Sequence, residues 1–253
     1  MNPLTVNNLS LFLAFALVLI AVVISAKEKL NLSKDIFFSI LRAIVQLIIV
    51  GYLLKYIFQV NNNLLTLGMS LFIVLNAAWN AHKRNPARNK KYIHSLAAIF
   101  ISTSITLGVL ILSGAIKFVP SQIVPITGMI ASNSMIAIGL CYRGLNTQFH
   151  DLRQQTLEKL ALGASIKLAS KPLLQQSIKT AMQPTIDSAK TVGLVSLPGM
   201  MSGLIFAGLD PVHAIKYQIM VTFMLLSATS LGSIIAGYFA YKNYFNSDHQ
   251  LTL

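Results

Sequence analysis

The chain has 253 residues, of which 55% are hydrophobic and only 11% are charged, and its mean hydropathy is +0.66. Soluble domains carry about a quarter charged residues, so this composition excludes an ordinary soluble protein and predicts a membrane protein. The net charge of +13 would suggest nucleic-acid binding in a soluble chain. Membrane proteins, however, collect Lys and Arg in their cytoplasmic loops, so we expect the lipid bilayer and no nucleic acid as partner.

Apolar stretches of roughly 20 residues recur along the chain between short charged segments, and such a stretch crosses the hydrocarbon core as one helix. The sequence therefore predicts an all-α polytopic fold, with residues 1–253 forming a single transmembrane domain of about seven spans. The spans are expected near residues 6–26, 36–55, 64–81, 95–115, 119–141, 191–209 and 216–241. The first is read as a retained span and not a signal peptide, because its positive cluster follows the apolar run.

Basic residues are distributed unevenly between the two ends of the predicted spans. Sixteen follow spans one, three, five and seven, whereas Lys55, Lys117 and Lys216 follow the even-numbered spans. The sixteen are Lys27, Lys29, Lys34, Lys83, Arg84, Arg88, Lys90, Lys91, Arg143, Arg153, Lys159, Lys167, Lys171, Lys179, Lys190 and Lys242. This asymmetry predicts an amino terminus outside the cytoplasm and a carboxyl terminus inside.

Span two contains Arg42, about six residues from its cytoplasmic end, with Gln46 one turn later on the same face. A charged side chain inside a span is costly unless it reaches the interface or pairs. Arg42 either extends to the interface or forms a polar seam with Gln46.

Span five contains Pro120, Pro125 and Gly128, a combination that predicts a kinked or broken helix. Irregular backbone at membrane depth is tolerated only against protein or a watery cavity. Asn133 and its hydroxyl neighbours are therefore expected either to line a translocation path or to pack against another helix.

Span six repeats this pattern with Pro198 and Gly199, which are followed directly by Met200 and Met201. Met129 and Met135 place two further thioethers on span five. Thioethers can bind soft metals but also fill cores, so a metal site is left open.

Residues 143–190 form the longest hydrophilic stretch and are predicted to be a cytoplasmic loop with two short helices. Leu157, Leu160, Ala161, Ala164 and Leu168 recur at helical spacing, as do Leu174, Ile178, Ala181 and Met182. Pro172 and Pro184 are expected to mark the start and the stop of the second helix.

Motifs for catalysis are absent: the sequence has no GxxxxGK[ST] phosphate loop, no HExxH and no GxSxG. We therefore predict no catalytic residue, no cofactor and no nucleotide site in this chain. The single Cys141 cannot form an internal disulfide.

Several runs resemble the FetB-like family of bacterial ABC-transporter permeases, named for iron export and including plant permeases linked to aluminium tolerance. They are Arg42 to Leu47, Pro125 to Met129, Asn133 to Met135, Glu158 to Ala164, Pro184 to Asp187, Val192 to Met201 and Ala214 to Gln218. The resemblance implies the permease half of an ATP-driven exporter for iron or another metal in the bacterial inner membrane. A separate ATPase subunit, holding ATP and Mg, would dock at Glu158, Leu160, Gly163 and Ala164, and two permease copies would form the path.

By the same resemblance, the path or hinge is expected at Pro125, Gly128, Met129, Asn133, Met135, Pro198, Gly199, Met200 and Met201. Alternatives are a stand-alone secondary transporter or channel, a permease for a nucleotide sugar or lipid, and a membrane scaffold without a path. The absence of a carboxylate in the middle of any predicted span counts against a proton-coupled transporter.

Overall fold

A computed structural model describes residues 7–60, 62–246 and 250–252. The first predicted span begins at residue 6, outside the described residues. The described part is helical: α1 (Asn8–Ala14), α2 (Ala16–Lys27), α3 (Ser33–Val60), α4 (Asn63–Lys83), α5 (Tyr92–Leu112), α6 (Pro120–Asp151), α7 (Arg153–Ala161), α8 (Ile166–Thr191), α9 (Gly199–Phe206) and α10 (Pro211–Ala240). A short 3-10 helix, Tyr241–Tyr244, follows α10.

Six of the predicted spans are confirmed as helices long and apolar enough to cross a membrane. They are α1 with α2, then α3, α4, α5, α6, and α10 with the following 3-10 turn. Large apolar side chains such as Leu47 and Tyr52, 72% and 76% exposed, cover the outer surface, as hydrocarbon contact requires.

Helix α6 lies at the centre of the bundle, and the directions of its neighbours follow from individual contacts. On α10, the Ala228 carbonyl accepts from Ser134 Oγ (3.1 Å) and the Ser233 carbonyl from Cys141 Sγ (3.6 Å). Residue numbers rise together in these pairs, so α6 and α10 run parallel. Two parallel helices require the chain between them to return to its starting end.

The return is made by α8 and α9 together, which corrects two predictions. Residues 191–209 do not form a span by themselves: α8 ends at Thr191, and only eight residues of this range, from Gly199, form the helix α9. Nor do residues 143–190 form a purely cytoplasmic loop, because α8 runs antiparallel to α6 from the level of Gly144 to that of Met129.

The start and stop assigned to Pro172 and Pro184 are wrong, since both lie inside the 26-residue α8. Both prolines are exposed, away from the packed face of the helix. The predicted face of Leu174, Ile178 and Ala181 is confirmed, because these side chains pack into the core. The first predicted loop helix, from Leu157 to Leu168, is not continuous. It is divided after α7 at Gly163, whose φ of 86° lies outside the helical region.

The break predicted in span five is also wrong, because α6 is continuous from Pro120 to Asp151. Pro120 is at the first helical position, where no backbone N–H is needed. Pro125 deprives only the carbonyl of Ser121 of its partner, and both residues are exposed near the helix start.

Gly144 allows α6 and α8 to approach closely. A Cβ at this position would lie 3.3 Å from both Cα and Cβ of Ser177 on α8. We expect Gly144→Leu to lower the free energy of unfolding by about 1–3 kcal/mol, because the α8 backbone has to move away. The thermal unfolding midpoint in detergent measures this loss.

Gly108→Leu is the matched control, because nothing lies within 4 Å of a Cβ at Gly108 in α5. Equal losses in both variants would contradict a specific α6 to α8 contact.

Candidate translocation site

An open cavity of about 420 Å³ lies between α3, α4 and α6. Its polar lining consists of Arg42, Gln46, Asn76, Asn80 and Ser132, and we call it the arginine cavity. Gly128 and Met135 complete the wall on the α6 side. The structure thus brings the predicted polar seam of span two together with two of the predicted path residues of span five.

The amide groups of the arginine cavity are partly engaged within α4. Asn80 Nδ2 donates to the carbonyl and the Oδ1 of Asn76, each at 2.9 Å. Arg42 is the one charged side chain among the residues that line the cavity. The cavity therefore combines a guanidinium with neutral amides and a hydroxyl inside the span region, where polar groups indicate function or a water-filled space.

The chain between α8 and α9 forms a compact hydrogen-bonded break. The Thr191 carbonyl accepts from the backbone N–H groups of Leu194, Val195 and Ser196, and Gly193 N–H donates to the Ser196 carbonyl at 2.9 Å. Gly193 has φ 87°, a conformation open to glycine. Pro198 then takes the N-cap position of α9, so the interruption lies in residues 192–198, directly before the predicted Gly199.

A second cavity, of about 220 Å³, lies beside this interruption between α6, α8, α9 and α10, and we call it the break cavity. Met129, Pro198, Gly199 and Met200 line it, so these four predicted path residues come together. Thr185, Ser188, Gln218 and Thr222 supply its polar groups. Met201 lines a neighbouring cavity of about 390 Å³ that shares Gln218 and Thr222.

Gln218 on α10 ends one of the runs that carry the family resemblance but was not among the predicted site residues. Its side chain is 6% exposed, and its Oε1 has no hydrogen-bond partner within the described residues. An unpaired buried acceptor costs about 1–3 kcal/mol. Its polarity in the first turns of span seven was the signal available in the sequence.

Other predicted residues lie outside both cavities. Asn133 Nδ2 donates to the Met129 carbonyl at 2.8 Å, which ties this amide to its own helix. Pro125 is exposed on α6. The functional roles of these two residues stay predictions.

The predicted docking residues lie together at the turn between α7 and α8. Gly163 N–H donates to the Leu160 carbonyl (2.9 Å) and Ala164 N–H to the Lys159 carbonyl (3.0 Å), which closes α7 with a Schellman motif. Ser165 Oγ then accepts from Leu168 N–H and caps α8. Glu158 is exposed at this turn, and Leu162 is 88% exposed.

The described residues contain no group of three or more His, Cys, Asp or Glu side chains that could hold a metal ion. A tightly held structural metal within these ranges therefore has no ligand set of that kind.

Fold and cavities together define a polytopic all-α membrane protein with polar groups inside its helix bundle. Residues 8–245 match the model of the uncharacterised protein family UPF0014, so the chain belongs to this family.

Curated relatives extend over nearly the whole chain. It is 60% identical over 253 residues to "Probable iron export permease protein FetB" of Escherichia coli, covering 100% of this chain and 98% of that protein. It is 33% identical over 239 residues to "Protein ALUMINUM SENSITIVE 3" of Arabidopsis thaliana, covering 94% and 87%. It is 34% identical over 245 residues to "UPF0014 membrane protein YjkA" of Bacillus subtilis, covering 97% and 98%. No solved structure matches the chain.

Ser132 and Ser102 allow a test of whether water fills the arginine cavity. Ser132 is exposed and lines the cavity, whereas Ser102 is fully buried and donates to Ser134 Oγ at 3.4 Å. We expect Ser132→Cys to react with a small hydrophilic thiol reagent in lipid vesicles, because thiolates form only in contact with water. Labelling is measured by mass spectrometry.

Ser102→Cys is the control and should stay unlabelled, as should the native Cys141, which is buried. An unreactive Ser132→Cys would mean that lipid or protein, and not water, fills the arginine cavity.

Proposed function

We propose that this chain is the transmembrane permease subunit of an ATP-driven exporter whose cargo is iron or another metal. A separate ATPase subunit, which binds ATP and Mg, docks at the turn between α7 and α8. Two permease copies form the path, and the assembly lies in the bacterial inner membrane.

Two findings support transport as the activity. The Escherichia coli relative is named as a probable iron export permease and is similar over the full chain. The bundle also has polar groups and an interrupted crossing at membrane depth, features that transporters place around their substrate path.

The observation that carries the coupling is the position of α8. One end of this helix begins at the exposed turn with Leu162, and the other end meets the break beside Met129 and Met200. Between them α8 packs on α6 at Gly144 and on α10 at Gly237, where a Cβ would lie 2.8 Å from Leu174 Cδ1. A displacement of the turn is therefore transmitted along the packed face of α8 to the break.

Transport would then follow from a hinge motion. Closure of an ATPase dimer moves the turn, α8 shifts along its packed face, and segment 192–198 absorbs the change between α8 and α9. Gly193 lies in this segment and Gly199 directly follows it. Neither has an atom within 4 Å of the point where a Cβ would lie, so neighbouring side chains do not hold the backbone in place there.

Docking at the turn predicts an effect of Leu162→Asp. An exposed leucine at a protein interface contributes through burial, and a charge in its place is desolvated without a partner. We expect at least tenfold weaker co-purification of the ATPase subunit with unchanged insertion of the permease. Pull-down from detergent extracts measures the binding.

Leu112→Asp is the control, because Leu112 is 89% exposed at the end of α5, far from the turn. Wild-type binding by the Leu162 variant would argue against an ATPase at this turn.

The orientation inferred from the basic residues gives a second prediction. The turn at Leu162 and the end of α5 near Lys117 lie at opposite ends of the bundle. In intact spheroplasts, an impermeant thiol reagent should label Lys117→Cys and spare Leu162→Cys, because positive loops stay in the cytoplasm.

Disruption of the membrane should make Leu162→Cys reactive as well, which controls for access to that thiol. Labelling of Leu162→Cys in intact spheroplasts would contradict the predicted orientation and place this turn outside the cytoplasm.

A further inference from the structure

A polar stripe runs along the exposed face of α8, opposite the face packed on α6 and α10. Its members, all exposed, are Gln176, Thr180, Gln183, Asp187 and Lys190, spaced at three or four residues, and Thr191, which lies four residues after Asp187. The packed face carries Leu174, Ser177 and Ala181, all buried. The helix is therefore two-sided, and its polar side is exposed in the described chain.

The charged part of this stripe lies level with Met129 of α6, a helix long and apolar enough to cross a membrane. Ser177 is level with Gly144 of α6, and Ser188 lines the break cavity with Met129. Asp187 is ten residues beyond Ser177, about 15 Å farther along α8 toward the level of Met129. Lys190, which the charge pattern assigned to a cytoplasmic loop, likewise lies near the end of α8, level with Met129.

Asp187 and Lys190 form a small network with Gln183. Lys190 Nζ lies 3.1 Å from Asp187 Oδ1, and Gln183 Nε2 donates to both carboxylate oxygens at 2.9 and 3.0 Å. The two charged side chains are 53% and 65% exposed. Charges at this depth face a bundle interior or water and not lipid, and they mark ion and substrate pathways.

We propose that the exposed face of α8 forms a wall of the cargo path, and that Asp187 is its cation-binding residue. This inference rests on the proposed function and names the site within it. In the empty site Lys190 neutralises the carboxylate as a tethered cation. A divalent metal ion binds Asp187 by displacing the ammonium group, with the Gln183 amide and Thr191 hydroxyl as neighbouring neutral oxygens.

One carboxylate with neutral oxygens binds a metal weakly. Weak binding suits a transit site, because cargo has to leave as readily as it enters. The absence of larger acidic or histidine clusters in the described residues fits this role and not that of a storage or structural site.

The test uses opposite effects of the two partners. Mn²⁺ binding to the purified full chain in lipid nanodiscs is followed by electron paramagnetic resonance. Asp187→Asn should weaken binding at least tenfold, since it removes the charged ligand. Lys190→Gln should strengthen binding severalfold, since it removes the competing cation. Asp35→Asn and Lys34→Gln, exposed charges at the start of α3, are the matched controls and should leave binding unchanged.

Access is tested separately with Asp187→Cys, which should react with a hydrophilic thiol reagent in vesicles. Weaker Mn²⁺ binding in both the Asp187 and the Lys190 variants would assign the pair a structural role and overturn the proposal. So would an unreactive Asp187→Cys, or no Mn²⁺ binding by either wild type or Lys190→Gln. Because these readouts need no ATPase, a failure of docking at Leu162 is distinguishable from a failure of this site.

Discussion

The close packing of α8 against α6 and α10 is the interaction on which the rest of the structure depends. Helices approach closely in membranes where small residues face each other. Gly144 meets Ser177, and Gly237 lies against Leu174 and Cys141. This packing draws a largely polar helix into the bundle, so that the chain can return between the parallel helices α6 and α10.

Several hydroxyl groups on the packed faces of α8 and α10 are satisfied locally, although Ser170 Oγ of α8 has no partner within the described residues. Ser177, Thr229 and Ser233 each donate to the carbonyl four residues earlier at 2.7 or 2.8 Å, so their hydroxyls need no partner on another helix. On the open side of α8, charges at the centre of a bilayer would each cost about 2.5–3.5 kcal/mol by insertion scales if lipid covered them. The packed face of α8 is thus covered by α6 and α10, whereas its open face leaves charged side chains uncovered within a single chain.

Hydropathy predicts the six continuous spans because each is apolar on nearly all sides. It fails for α8, since Gln183, Asp187 and Lys190 lower the average although the helix enters the bundle. The interruption before α9 could be predicted from Pro198 and Gly199, because the backbone preferences of these two residues disfavour a continuous helix. The sequence pattern misplaces Pro172 and Pro184, because packing of the opposite face holds α8 together through two prolines that local rules treat as ends.

In the candidate site, too, features set by local sequence could be predicted, whereas features set by helix packing could not. Met129 and Met200 could be paired from sequence as facing thioethers, and the break cavity brings them together. The burial of Gln218 and the depth of Asp187 depend on how α8 is aligned with α6 and α10, a long-range feature that no local pattern contains.

The arrangement also explains why the interruption lies where it does. A continuous helix from Ile166 to Phe206 would be 41 residues, about 60 Å at the helical rise, twice the hydrocarbon thickness. The break at 192–198 shortens this crossing and separates α8, attached to the exposed turn, from α9, which is joined to α10 through Gly208 and Asp210. In the proposed hinge motion, α8 and α9 can therefore change their relative position at the break, at the depth where Met129, Gln218 and Asp187 lie.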